Sequence, residues 1–187
     1  MGLETSTGRS TFVNIKEGRL YTKEKDKAPV FFNAISGTIT GVNFKNEEYE
    51  GKTYEKMELI LMDGEDRFVL SIRTDSGYFR GFCNSLRSGN PTEKIRIAPN
   101  YKMVNDKPQT TCFVSQNNEP LKHAFTKDHP GDYPQLENIN GSWDGSKQVE
   151  YWKQWLRSIK WDRTDSTPND ETVIEPSIDN DPDDLPF

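Results

Sequence analysis

The side chains best suited to chemistry in this 187-residue chain are cations interleaved with aromatic rings. Arg67 and Arg73 fall three two-residue strand repeats apart in Arg67-Phe-Val-Leu-Ser-Ile-Arg73, where Phe68, Leu70 and Ile72 share the opposite face. Successive strand side chains point to opposite sides, so burying those three turns both arginines outward with Val69 and Ser71. The preceding segment alternates in the same way: Met57, Leu59 and Leu61 point inward, leaving Tyr54 and Lys56 beside the arginines. Guanidinium and ammonium groups neutralise phosphates, while ring faces stack on bases without reading their sequence. Lys45, Tyr49 and Lys52 sit in an expected loop on one side. A second basic loop beginning at Pro99 carries Tyr101, Lys102 and Lys107, and Arg96 precedes it.

Catalytic arrangements are not expected. His123 and His129 lie in an irregular stretch without cysteine or carboxylate at ligand spacing, and neither a phosphate-cradling glycine loop nor HExxH occurs. Asp179, Asp181 and Asp183 match three positions of a calcium loop, but Asp184 replaces the glycine that loop needs. The chain is therefore read as a non-enzyme that uses no cofactor and no metal. Cys83 and Cys112 each fall inside an apolar pattern and are expected as buried free thiols in a reducing compartment. No apolar run approaches membrane-spanning length.

The elements that must position these groups read as mainly β. Residues 1–10 are small and polar and are expected to be flexible. Phe12–Ile15 and Gly18–Tyr21 suggest a hairpin or added edge strand. One long first strand is expected over Val30–Phe44, bent at Gly37 and Gly41, followed by strands at Tyr54–Met62 and Arg67–Arg73. A helix over Ser76–Arg87 follows from the spacing of Phe79, Phe82, Cys83 and Leu86. Strands at Lys94–Ala98 and Thr110–Ser115 complete the order β-β-β-α-β-β. That is the order of the OB-fold, a five-stranded Greek-key barrel with an intervening helix. An irregular stretch, 116–144, leads to an additional C-terminal helix, capped by Ser146 and running to about Trp161 with Val149, Trp152, Leu156 and Ile159 on one stripe. The simplest role for this helix is docking on the barrel.

Charge divides the chain in two. From Asp162 onward there are nine acidic residues and one basic, which leaves 21 acids and 23 bases in residues 1–161. The overall charge of −6 thus conceals a body near +2 joined to a tail of −8. A pI near 5.1 would otherwise argue against a nucleic-acid partner. Residues 162–187 are expected to be a disordered acidic tail, since they carry too little apolar surface to offset their ordering entropy.

The tail finishes in Asp181-Pro182-Asp183-Asp184-Leu185-Pro186-Phe187. This resembles the acidic C-terminal tip of bacterial single-stranded-DNA-binding proteins: an Asp run, an aliphatic residue, Pro and a final Phe. Pro182 interrupts the Asp run and departs from the pattern. The resemblance implies an OB-fold body, 11–161, that binds and protects single-stranded DNA during replication, recombination or repair. It also implies that Asp181, Asp183, Asp184, Leu185, Pro186 and Phe187 recruit partner proteins of those processes. The long first segment, the irregular stretch and the Trp-rich helix are not usual in that family, so the chain looks like a divergent, phage or mobile-element version in a bacterial cytoplasm. Homo-oligomer formation is compatible with this. Two other readings stay open: a protein that uses the tip without binding DNA, and an RNA-directed barrel.

Overall fold

The computed structural model describes residues 10–161, and the acidic tail with its tip lies outside them. The chain begins with β1 (Ser10–Lys16) and β2 (Arg19–Thr22), an antiparallel hairpin, and β3 (Val30–Phe32), which pairs with β2. Then come β4 (Ile35–Tyr49), β5 (Lys52–Asp63), β6 (Asp66–Arg73), α1 (Gly77–Leu86), β7 (Lys94–Val104) and β8 (Lys107–Gln116). Short strands β9 (Glu119–Pro120), β10 (Glu137–Ile139) and β11 (Ser142–Asp144) precede α2 (Ser146–Ser158). The two-residue connections Glu17-Gly18, Glu50-Gly51 and Asn105-Asp106 all have positive φ at both residues. That is the mirror-image turn whose twist matches antiparallel strands, and it makes each hairpin tight.

The expected single strand over Val30–Phe44 is two strands. The chain breaks at Asn33-Ala34, so β3 pairs with β2 while β4 pairs with β5 and β7. The bend foreseen at Gly41 is a register shift against β5 between Ile39 and Gly41.

The main sheet runs β3-β2-β1-β6-β5-β4-β7-β8-β9, antiparallel except where β1 lies parallel to β6. Within it, β7-β4-β5-β6 is a Greek key: three consecutive strands with a fourth returning beside the first. A closed five-stranded barrel, however, is not what forms. The free edge of β6 is taken by β1, and no ladder joins β6 to β8 among the described residues. Instead α1 lies against β8. A Cβ at Gly77 would overlap the Thr110 carbonyl oxygen, and one at Gly81 would stand 2.9 Å from the Cys112 nitrogen. Two glycines one helical turn apart let the helix backbone reach the strand. The sheet still curls on itself, because the β1–β2 turn meets β7: a Cβ on Gly18 would lie 2.5 Å from the Tyr101 nitrogen. The Gly18 N–H donates to the Tyr78 hydroxyl of α1 at 2.8 Å.

Inside the curl, Ile39, Met57, Leu59, Leu61, Leu70, Ile72, Ile95, Ile97 and Val114 meet Phe79, Phe82 and Leu86 of α1 in one buried cluster. Each such side chain contributes about 1.5–3 kcal/mol on leaving water. Cys83 and Cys112 are buried free thiols, and burial pushes both thiols well above their ordinary range. The second helix docks on this core through fully buried Trp152 and Leu156. Its indole N–H donates to the Tyr133 hydroxyl at 3.0 Å, and Tyr133 stacks on Phe125 with centroids 5.3 Å apart. Ser146 is not the cap. The Asp144 carboxylate accepts from the Ser146 N–H at 2.8 Å and from its hydroxyl at 2.9 Å, and those bonds hold its pKa below the usual carboxylate value. No helix among the described residues is long and apolar enough to cross a membrane.

Candidate nucleic-acid interface

The alternation expected on β5 and β6 is present. Met57, Leu59, Leu61, Leu70 and Ile72 are buried, so Tyr54, Lys56, Arg67 and Arg73 stand on the outward face. Lys56 is opposite Arg73 on one side and Lys45 on the other. Val69 departs from the expectation at 5% exposure, because β1 lies alongside β6 with Phe12 in register.

This face neutralises much of its own charge. Lys45 pairs with Glu58 at 3.1 Å and Lys56 pairs with Glu47, whereas Arg67 keeps its charge and donates to the neutral Ser10 hydroxyl. Arg73 grips Asp75 with two bonds, of 3.1 and 2.6 Å, while its guanidinium carbon sits 4.0 Å from the Tyr54 ring centroid. The ring and the cation expected to serve a ligand are thus engaged with each other. Partly exposed ion pairs of this kind contribute only about 0.2–1 kcal/mol, so phosphates can replace the carboxylates at modest cost.

The two flanking loops are strands. Lys45 and Tyr49 belong to β4 and Lys52 begins β5, the turn being confined to Glu50-Gly51. Arg96, Tyr101 and Lys102 belong to β7 and Lys107 begins β8, around Asn105-Asp106. Since strand residues alternate, Tyr101 does not join Lys102 and Lys107. Its side chain lies on the other face, where its hydroxyl donates to the Met103 sulfur at 3.1 Å.

The outward face of this arm carries exposed Arg96, Lys102 and Lys107, and none has a carboxylate partner among the described residues. Between them stands Phe113, opposite Ala98 and 55% exposed. Sequence reasoning missed Phe113. Its signal was there, since Cys112 and Val114 on either side are buried and so force residue 113 outward. Cations without internal partners beside an exposed ring can follow a phosphate chain and stack a base.

His123 and His129 are both exposed on the surface. Asp181, Asp183, Asp184, Leu185, Pro186 and Phe187 fall outside the described residues.

A scan of protein-family models finds none that matches this chain. A search of curated proteins likewise finds no match. Among solved structures, the solution NMR structure of the OB domain of Ta0387 from Thermoplasma acidophilum matches with 20% identity. The match covers 49% of this chain and 81% of that one at a TM-score of 0.26, and a likeness of that strength decides nothing about this protein.

Proposed function

We propose that this protein binds single-stranded DNA, without strong sequence preference, on the outward face of an OB-like Greek-key sheet. The observation that carries this reading is the β7–β8 arm, where Arg96, Lys102 and Lys107 have no carboxylate partner among the described residues and flank exposed Phe113. The paired cations Lys45, Lys56 and Arg73 extend the path across β4–β6 by exchanging their carboxylates for phosphates. Coating of exposed strands during replication, recombination or repair is the role this chemistry suits. Partner recruitment belongs to Asp181, Asp183, Asp184, Leu185, Pro186 and Phe187, and rests on the resemblance of that sequence to the acidic tip. Fluorescence anisotropy of a labelled oligo-dT, with unlabelled duplex and oligo-U as competitors, tests the reading. Oligo-dT outcompeting both supports it. Equal or better competition by oligo-U would assign the face to RNA, and no binding to any strand would remove the proposal.

A further inference from the structure

The three N-terminal strands carry a second aromatic and basic surface that the Greek key does not need. On β1 the inward residues Val13 and Ile15 pack into or against the core, so Ser10, Phe12, Asn14 and Lys16 point outward. Register then places Arg19 and Tyr21 of β2, and Phe31 of β3, on that same face. Tyr21 and Phe31 are directly opposed with centroids 5.8 Å apart, the Arg19 guanidinium carbon is 5.0 Å from the Phe31 centroid, and Phe12 is 38% exposed. Arg67 of β6 adjoins through Ser10.

None of the outward residues of β1–β3 is acidic. Rings with arginine also suit a protein partner, but cations and rings with no outward carboxylate suit a phosphate chain whose bases can stack. Arg19 and Tyr21 occupy successive outward positions of β2, about 6.6 Å apart, with Phe31 beside them on β3. The platform also borders the β7–β8 arm, because the β1–β2 turn seats on the backbone of Tyr101.

We infer that Phe12, Tyr21 and Phe31, with Arg19 and Arg67, form a stacking platform that lengthens the single-stranded DNA path from the β7–β8 arm onto the N-terminal strands. The inference rests on the DNA-binding reading above. It assigns β1–β3 a ligand-binding role in addition to covering the edge of β6.

The test uses the full chain and two labelled oligo-dT probes, of about 8 and about 30 nucleotides, the first within and the second beyond the roughly 4–16 that one small barrel covers. Phe31→Ala should weaken binding of the long probe by about fivefold or more, the loss expected from one stacked base. It should leave the short probe nearly unaffected. Phe31→Trp should restore the long-probe affinity. Arg19→Ala should make the salt dependence of long-probe binding shallower by about 0.7 in log–log slope. Wild-type-like affinity of Phe31→Ala and Arg19→Ala for the long probe would overturn the platform while leaving the arm's role standing. Absence of binding by the unmodified chain would instead remove both. A change in sedimenting mass on Phe31→Ala, with long-probe affinity retained, would reassign the face to contact between copies of the chain and also overturn the inference.

Discussion

At the scale of single residues, the decisive distinction is between cations that already have a carboxylate and cations that do not. Arg73 is held by Asp75 and lies over Tyr54. Removing the carboxylate with Asp75→Asn should therefore raise oligo-dT affinity by about twofold to fivefold, the worth of one exposed pair. Anisotropy titration reads this directly. Phe113 makes the opposite case. It is exposed and its loss leaves no cavity, so Phe113→Ala should weaken binding by about fivefold or more while changing stability by less than about 0.5 kcal/mol in urea. The buried thiols give a pH prediction. Both are held protonated in the fold by burial, so the folded state keeps its protons where the unfolded chain loses them. Their contribution to stability is complete below the ordinary thiol pKa of about 8.5 and falls as pH rises above it. Urea midpoints for the wild type and a Cys83→Ala, Cys112→Ala double variant should converge with rising pH over that window.

At the scale of elements, the hydrophobic alternation of β5, β6 and the start of β7 is plain in the sequence because those segments line the core. So is the spacing of Phe79, Phe82 and Leu86 that makes α1. The hairpin arms were misread as loops for a physical reason. Residues 45–53 and 100–109 extend past the core, so neither face needs to be apolar and the period-two signal fades. Pro99, which reads as the start of a loop, sits within the paired β7–β8 strands opposite Cys112, as does Pro108 opposite Met103. The choice of β1 rather than β8 as the neighbour of β6 is a long-range matter that local pattern does not encode. Its trace is in the glycines. Gly77 and Gly81 bring α1 onto β8, and Gly77→Ala or Gly81→Ala should each cost about 1–3 kcal/mol by forcing helix and strand apart. Chemical denaturation would show the loss as a lower midpoint. A substitution as well tolerated as a typical surface change would contradict the packing of α1 on that edge.

At the scale of the whole molecule, the separation of a mildly basic body from a strongly acidic tail decides how net charge should be read. The body holds 23 of the 24 basic residues, while the tail's net charge of −8 is of the same sign as a phosphate chain. Deleting residues 179–187 should leave oligo-dT affinity unchanged or raise it, with the difference shrinking as salt screens the tail. Weaker binding at low salt after deletion would contradict that view of the tail. The central claim is that the β7–β8 arm cations, which have no carboxylate partner among the described residues, carry single-stranded DNA. The most direct measurement is the salt dependence of oligo-dT binding by the full chain beside an Arg96→Ala, Lys102→Ala, Lys107→Ala variant. Three phosphate contacts at about 0.7 each predict that the log–log slope becomes shallower by about 2 in the variant. Equal slopes and equal affinities in the two proteins would contradict it.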